Sequence, residues 1–174
     1  MLKVSVVILT YNQKNFIGEA IESAVNQITD FEYEILVGDD CSTDGTTEVI
    51  RTYQQKYPDK VRLILHPKNL GQNGFFNTVE TLKHARGKYI APMDGDDYWT
   101  DPHKLQLMVD HLDQHPHQSA VFHNALITHD DGTPSYELNS PEQKTEVTLR
   151  DLIGENEVWF IATSAVLFKG DLMY

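Results

Sequence analysis

The chain has 174 residues, and its 40% hydrophobic and 23% charged residues are ordinary for one soluble globular domain. Lys and Arg total 14 against 26 Asp and Glu, which gives a formal net charge of −12. Nucleic acids and anionic lipid surfaces repel such a chain, and binding an anionic small molecule requires a metal cation or helix N-termini. The single cysteine, Cys41, excludes an intrachain disulfide and predicts a reducing, cytoplasmic location, with peripheral membrane attachment left open. No transmembrane segment is predicted, because the apolar run near the start is far shorter than the roughly 20 residues that cross a bilayer.

The hydrophobic pattern predicts alternating strands and helices. Short, largely β-branched or apolar runs predict strands at residues 4–10, 33–37, 61–65, 88–92 and 120–123. Helical spacing, with caps and stops, predicts helices at residues 15–28, 45–56, 75–84 and 100–116. The third helix is expected to turn Phe76, Val79 and Leu82 inward, and the fourth Leu105, Met108, Val109 and Leu112.

Four successive strand–helix units predict an α/β, Rossmann-like fold with a mainly parallel central sheet and helices on both faces. The pattern weakens beyond Asn124: residues 133–146 are expected to form a loop, and residues 158–168 a strand or two returning to the sheet. No linker divides the chain, so a single domain is predicted over residues 1–174.

Polar and acidic residues follow three of the predicted strands. The first strand is followed by residues 10–12, the second by residues 38–46 and the fourth by residues 93–99. Since open parallel sheets bind ligands at the carboxyl ends of their strands, we expect these residues to meet at one site.

The segment Asp94-Gly95-Asp96-Asp97 carries the densest charge at this edge. In an extended segment Asp94 and Asp96 point the same way, and Gly95 allows the backbone to come close to a ligand. Carboxylates suit Mg²⁺ or Mn²⁺, which take one or two protein carboxylates together with phosphate oxygens and water. The alternative is a solvated acidic turn that caps the next helix.

Asp40 and Tyr11 form a second candidate contact. A carboxylate at this strand end can accept the N–H of a pyrimidine ring, and a tyrosine ring at the neighbouring strand end can stack on it. The alternative is that Asp40, with Asp39 and Asp44, only caps the second helix.

Other readings of the same residues fit less well. A calcium loop starting at Asp40 would need Glu where Arg51 stands, and a zinc-protease motif at His111 would need Glu where Leu112 stands. Residues 69–74 lack the spacing and the Lys of a P-loop and predict a turn. Trp99 and Trp159 are candidates to stack on a sugar, with core burial an equal alternative.

Five segments carry a resemblance to a known family. In order and spacing, residues 4–12, 37–46, 87–90, 94–99 and 101–105 are similar to the family 2 glycosyltransferases, which have the GT-A fold. The resemblance covers about residues 1–125, which it identifies as the donor-binding half, and makes residues 126–174 the start of the acceptor half. It implies a transferase that moves a sugar from a nucleotide-diphosphate donor, a UDP-sugar, to a saccharide or other hydroxyl acceptor with inversion, in a setting such as polysaccharide assembly.

The resemblance also implies roles for individual residues. Tyr11 and Asp40 match positions that hold the nucleotide base, while Leu9 stands at a position that is often proline in the family. Asp94 and Asp96 match the DxD motif, which binds the ribose and, through Mn²⁺ or Mg²⁺, the diphosphate. The remaining residues expected at the site are Asn12 and Gly95 beside these motifs, Asn77 in a helix that lines the donor pocket, and Asp97 as a further metal ligand.

In the family the general base is an Asp well beyond the DxD motif. The candidates Asp151, Glu157 and Asp171 lack the matching context, so we expect the base to lie beyond Tyr174 and the domain to be truncated. Two alternatives stay open: a non-catalytic nucleotide-sugar binding module, and a nucleotidyltransferase, which would need a Lys- or Arg-bearing glycine-rich loop where residues 10–13 stand.

Overall fold

The computed structural model describes residues 2–129, 131–139, 146–152 and 160–173. Within these residues the central sheet has six strands, β1 (Val4–Thr10), β2 (Tyr33–Asp39), β3 (Val61–Leu65), β4 (Tyr89–Asp94), β5 (Ala120–Phe122) and β8 (Val166–Lys169). Their order is β3-β2-β1-β4-β8-β5. The four strands from β3 to β4 are parallel, whereas β8 is antiparallel to both β4 and β5. The predicted Rossmann-like, mainly parallel α/β fold is therefore confirmed.

The helices lie on both faces of this sheet, as predicted. They are α1 (Ile17–Val25), α2 (Thr46–Lys56), α3 (Phe75–Leu82), α4 (Lys104–Gln114) and the short α5 (Leu149–Leu152). Apolar side chains of α1, α2 and α4 pack with Val4, Val6 and Ile8 of β1 in the larger core. On the opposite face Val7 packs with Leu36 and Ile90, and Leu82 of α3 covers them. None of the described helices is long and apolar enough to cross a membrane.

Helix α3 is rotated relative to the prediction. Asn77 and Thr81 are its buried residues, whereas Phe76 is exposed, so the expected inward position of Phe76 is wrong. The cause is Gly38 in β2, where an added Cβ would lie 2.1 Å from the Thr81 hydroxyl and 2.7 Å from Asn77 Oδ1. A strand position without a side chain allows two short polar residues to pack against the sheet. The inward face predicted for the fourth helix, by contrast, is buried.

The chain beyond β5 departs most from the prediction. The predicted strand at 158–168 is found only from Val166, after a 3₁₀ turn at Thr163–Ala165, and residues 153–159 lie outside the described residues. The region predicted as a loop contains β7 (Tyr136–Glu137), which pairs with β6 (Leu126–Ile127) in a separate two-stranded sheet. Two-residue strands carry too little periodicity to be recognised in the sequence.

The amino-terminal edge of the sheet contains a buried charge with several partners. Glu34, the second residue of β2, is 2% exposed. Its carboxylate accepts hydrogen bonds from Ser5 Oγ at 2.8 Å, from Arg62 Nη1 at 2.7 Å and from the Arg86 backbone N–H at 3.0 Å. Burial by itself raises the pKa of Glu34, but these hydrogen bonds outweigh it, and the pKa lies below its ordinary value.

Candidate functional site

The carboxyl ends of β1, β2 and β4 meet at one edge of the sheet, as the sequence predicts. The pairing register sets Thr10 opposite Asp39 and Leu9 opposite Asp94. Just beyond the strands, the Asp40 N–H donates to the Thr10 carbonyl at 3.0 Å, and the Gly95 N–H donates to the Leu9 carbonyl at 2.8 Å. The backbone of Leu9 therefore fixes where the acidic segment leaves the sheet.

A cavity of about 410 Å³, the first cavity, opens between these strand ends. Residues from the β1 and β2 ends, the segment before α3 and the end of β4 line it. They are Leu9, Thr10, Tyr11, Gln13, Asp40, Asn69, Gly71, Gln72, Asn73, Gly74, Asn77, Thr78 and Asp94. Five of the predicted substrate-binding residues are thus brought together here, and two, Asn12 and Gly95, are not among the lining residues.

Tyr11 and Asp40, the pair predicted to contact a nucleotide base, both line the first cavity. Tyr11 is 48% exposed, so a face of its ring is accessible to a ligand. Asp40 is buried, and its Oδ1 accepts the Leu70 backbone N–H at 2.7 Å. Among the described residues the second oxygen of Asp40 has no hydrogen-bond partner. Asp40 does not cap the second helix, because the backbone N–H that donates to its carboxylate belongs to Leu70, in the segment before α3.

Asn12, Asn77 and Asp39 instead hold the walls of the site in place. Asn12 has a positive φ of 55°, and its side chain accepts the Thr43 N–H at 2.8 Å. Asn77 donates to the Gly38 carbonyl at 2.9 Å and accepts a hydrogen bond from Thr81. Asp39 accepts hydrogen bonds from Ser42 and Thr47. These hydrogen bonds fix the side-chain oxygen of Asn12, the side-chain amide of Asn77 and the carboxylate of Asp39 in the walls of the site.

Two residues that the sequence did not single out, Thr10 and Gln13, complete the first cavity. Among the described residues, Thr10 Oγ1 and Gln13 Oε1 are buried without a hydrogen-bond partner. Both lie beside Gly95, where an added Cβ would come within 2.9 Å of Thr10 Oγ1 and 2.6 Å of Gln13 Oε1. Gly95 therefore lets the chain after β4 approach β1 closely, and it packs against two buried oxygens that have no partner among the described residues. Residues 10–13 carry no sequence signal for these partnerless oxygens, because their burial depends on how the chain after β4 packs against β1.

A second, larger cavity of about 840 Å³ lies on the other side of Asp94. It is lined by the acidic segment, the turn before α4 and the chain on both sides of the two-stranded sheet. Asp94, Asp96, Asp97, Lys104, His123, Thr163 and Ser164 are among its lining residues. Asp94 lines both cavities. The three aspartates predicted as metal ligands thus share one cavity wall.

The acidic segment forms a turn and not the extended segment we expected. The Asp97 N–H donates to the Asp94 carbonyl at 3.1 Å, which reverses the chain after β4. The expected alternation of side chains is therefore wrong, and the turn is what brings Asp97 to the same cavity as Asp94. Gly95 is accommodated because its backbone packs against Thr10 and Gln13.

Burial destabilises the charged form of two carboxylates in this turn. Burial raises the pKa of Asp94, a hydrogen bond from Thr163 offsets part of the shift, and the charges of Asp97 and Asp96 raise the pKa further. Burial likewise raises the pKa of Asp97, opposed by a hydrogen bond from Ser164 and reinforced by Asp96. Mutual repulsion and desolvation both favour binding of a cation between them.

The donor set of this site fits a hard divalent cation. Carboxylate oxygens of Asp94, Asp96 and Asp97, which line one cavity, supply oxygen ligands only, as Mg²⁺ and Mn²⁺ prefer. Within the described residues no three Asp, Glu, His or Cys side chains form a preorganised metal cluster. Mg²⁺ does not require one, because it usually keeps waters and takes phosphate oxygens of the substrate.

The remaining candidates lie elsewhere. Trp99 is buried, and its indole N–H donates to the Ser164 carbonyl at 2.8 Å. Asp151 is buried and accepts hydrogen bonds from Thr148, so it caps α5. Asp171 lines a cavity at the opposite edge of the sheet with Arg86 and Lys88. Neither carboxylate lies at the two cavities, and Glu157 and Trp159 are outside the described residues.

Comparison with known families gives a match over nearly the whole chain. Residues 5–173 match the model of the family described as Glycosyl transferase family 2. An uncharacterized protein of Mycobacterium tuberculosis is 36% identical over 170 residues, which is 98% of this chain and 48% of that protein. This chain spans about half the length of the curated relatives that it matches over nearly all of its own residues.

Two solved structures share the fold. TarS of S. aureus, residues 1–349 in complex with UDP, superposes with a TM-score of 0.77 at 26% identity, covering 99% of this chain and 48% of that one. A mannosyltransferase of Pyrobaculum calidifontis in complex with GDP-Man and Mn²⁺ superposes with a TM-score of 0.59 at 30% identity, covering 69% of this chain and 34% of that one.

Proposed function

Because the chain belongs to glycosyl transferase family 2, we propose that it transfers a sugar from a UDP-sugar to a hydroxyl acceptor, with a divalent metal and with inversion. One observation carries the proposal: the half-buried carboxylate of Asp94 lines two cavities at the carboxyl edge of the sheet. A donor that passes Asp94 would leave its nucleotide in the first cavity and present its sugar to the second.

The first cavity supports binding of the nucleoside. Tyr11 offers a ring face for the base, and the second oxygen of Asp40 is available for a base N–H. Thr10 Oγ1 and Gln13 Oε1 are further polar atoms without partners among the described residues, next to the strand end where a diphosphate would pass. We take UDP as the nucleotide because TarS, which superposes over 99% of this chain with a TM-score of 0.77, was solved in complex with UDP.

The metal proposal rests on the charge of the second cavity. Asp94, Asp96 and Asp97 would hold Mn²⁺ or Mg²⁺, whose charge would stabilise the leaving diphosphate. A chain with a net charge of −12 and an acidic strand edge would otherwise repel that diphosphate. The mannosyltransferase of similar fold that was solved in complex with GDP-Man and Mn²⁺ supports the use of a metal.

The two cavities on either side of Asp94 are compatible with the proposed inversion. An acceptor in the second cavity would attack the anomeric carbon from the side opposite the diphosphate, and a carboxylate base would take the proton of its hydroxyl. We assign no described residue to that base, because Asp151 caps α5 and Asp171 lies at the far edge of the sheet.

Calorimetric titration of the chain with UDP, in MnCl₂ and in EDTA, tests the proposal. We expect binding in MnCl₂ that is at least about tenfold tighter than in EDTA, because metal and diphosphate bind cooperatively. GDP under the same conditions is the comparison for the base, and we expect it to bind more weakly. Equal affinity for UDP in the two buffers would overturn the metal bridge, and an absence of UDP binding in either buffer would overturn the donor site.

A further inference from the structure

The second cavity contains a cation that the proposed donor chemistry does not use. Lys104, the first residue of α4, lines this cavity and is only 5% exposed. Among the described residues its ammonium group has no hydrogen-bond partner and forms no ion pair within 4.0 Å. Its Nζ lies 4.0 Å from the centroid of the Trp99 ring, and its charge helps to lower the pKa of His123, which lines the same cavity.

An unpaired buried ammonium is costly. A cation–π contact with tryptophan stabilises a desolvated cation by about 2 kcal/mol, which offsets only part of the cost of removing a charge from water. Consistent with this, burial lowers the pKa of Lys104 to about 7. A methionine would fill the same space without the cost, so the position holds a charge that folding alone does not require.

The carboxylates that share the cavity are engaged elsewhere. Asp94 and Asp97 accept hydrogen bonds from Thr163 and Ser164. Asp101 accepts the His103 N–H at 2.8 Å, and Glu137 accepts a hydrogen bond from Asn124 at 3.1 Å. Asp96 is exposed and belongs to the proposed metal site. Lys104 is therefore a cation of this cavity that has no hydrogen-bond or ion-pair partner among the described residues.

We propose that Lys104 binds an anionic group, a phosphate or a carboxylate, carried by the acceptor. The inference rests on the proposed function, because it takes the nucleotide to lie in the first cavity, which Lys104 does not line. The ammonium then adds three donors and one positive charge on the side of Asp94 away from the nucleotide. A cavity of about 840 Å³ has room for a ligand of drug size.

The test is calorimetric titration with glucose 6-phosphate, glucuronate and glucose, each with and without saturating UDP and MgCl₂. We expect the phosphorylated sugar or the uronate to bind, and glucose to bind at least about tenfold more weakly. The Lys104→Met variant should lose about 10- to 100-fold in affinity for the anionic sugar, the usual range for a hydrogen bond to a charged group, and retain its affinity for UDP.

Lys60→Met is the matched control. Lys60 Nζ also lies 4.0 Å from an aromatic centroid, that of Tyr33, and burial also lowers its pKa, but it precedes β3 at the opposite edge of the sheet. This variant removes a cation–π contact of the same length but lies outside the cavity, so its affinities for UDP and for the anionic sugar should be unchanged. Thermal unfolding of both variants reports whether they fold.

Four outcomes would overturn the inference. They are equal binding of glucose and the anionic sugars, no loss of affinity in Lys104→Met, competition between glucose 6-phosphate and UDP, and loss of UDP binding in Lys104→Met. A UDP-glucuronate affinity that exceeds that for UDP-glucose and depends on Lys104 would assign the anion to the donor sugar and contradict the acceptor assignment. Failure of UDP to bind the unmodified chain would instead contradict the proposed function, and the titrations without UDP would still decide the role of Lys104.

Discussion

The two ends of the central parallel strands, here called the amino-terminal and carboxyl edges of the sheet, differ in whether their charged groups have ion-pair partners. At the amino-terminal edge Glu34 is buried with hydrogen bonds from Ser5, Arg62 and Arg86, and its pKa lies below the ordinary value. At the carboxyl edge burial raises the pKa of Asp94 and lowers that of Lys104, and neither forms an ion pair among the described residues.

The difference separates polar groups that stabilise the fold from groups that are held for a ligand. A buried charge with its hydrogen bonds complete contributes to stability, and its loss leaves unpaired partners. A buried charge without partners costs stability and is favoured only when something else binds it. Substitutions at the two edges should therefore change stability in opposite directions.

The largest effect is expected at the amino-terminal edge. Glu34→Ala should lower the free energy of unfolding by about 2–3 kcal/mol, because the buried Ser5 hydroxyl loses its acceptor and the hydrogen bonds from the solvent-accessible Arg62 and Arg86 are lost. Urea denaturation measures this. The matched control is Glu80→Ala, which removes an exposed ion pair with Lys83 at 2.7 Å and should leave stability nearly unchanged.

The pH profile sharpens the same prediction. Since the pKa of Glu34 is lowered on folding, its contribution is present above the unfolded pKa of about 4.3 and is lost as pH falls through the folded pKa. The unmodified chain should therefore lose stability below about pH 4, and Glu34→Ala should show a flatter profile there. Equal losses in Glu34→Ala and Glu80→Ala would contradict the structural role of the buried carboxylate.

Asp94→Asn should show the opposite pattern at the carboxyl edge. We expect UDP affinity in MnCl₂ to fall about 100-fold, as the loss of a group that supports a metal site does, and UDP affinity in EDTA to be little changed. Stability should stay the same or rise, because burial raises the pKa of Asp94 and disfavours its charged form. Calorimetry and urea denaturation on one preparation give both quantities. A destabilised variant with normal metal-dependent binding would make Asp94 a structural residue.

Lys104→Met should stabilise the chain by about 1–2 kcal/mol at pH 7, since it removes a buried ammonium and keeps the packing against Trp99. The pKa of Lys104 is lowered to about 7, so the cost of its charge is complete below pH 7 and is relieved as pH rises towards the unfolded value of about 10.4. The gain should therefore shrink between pH 7 and 9. The charge of Lys104 is one cause of the lowered pKa of His123, so the two proteins are compared in a His123→Gln background, where this second titration is absent. A destabilised Lys104→Met at pH 7 would indicate a structural lysine.

The sequence predicted the sheet better than the site. Strands such as Val4–Thr10 and Val61–Leu65 are short apolar runs bounded by turn residues, and their bounds agree with the prediction. The meeting of Leu9, Tyr11, Asp40 and Asp94 at one edge follows from strand polarity alone. Local pattern could not give the turn at Asp94–Asp97, which is defined by a backbone hydrogen bond, nor the face of α3, which is set by Gly38 in a strand that is distant along the chain.

The sequence could not identify the groups whose distinguishing feature is a missing hydrogen-bond partner. Thr10, Gln13 and Lys104 are ordinary residues in the sequence, and they stand out only because packing buries their polar atoms without partners among the described residues. Thr163 and Ser164 were read as part of a strand, and they reach Asp94 and Asp97 because a 3₁₀ turn precedes β8. Contacts between segments about 70 residues apart have no signature in a single sequence.

The smallest effect is expected from Asp101→Asn, paired with Asp96→Asn. Both residues line the second cavity, but Asp101 accepts the His103 N–H at 2.8 Å ahead of α4, whereas Asp96 is an exposed carboxylate of the proposed metal site. Asp101→Asn retains an acceptor oxygen and loses only a charge near the start of a helix, so it should cost about 0.3–1 kcal/mol of stability and leave UDP binding in MnCl₂ unchanged. Asp96→Asn should have little effect on stability and weaken that binding at least about tenfold. Because both substitutions remove one negative charge from the same cavity, a general electrostatic effect would weaken or strengthen binding equally in the two variants. Equal changes in calorimetry would therefore contradict the assignment of Asp96 as a metal ligand and leave only the net charge of the cavity to explain metal dependence.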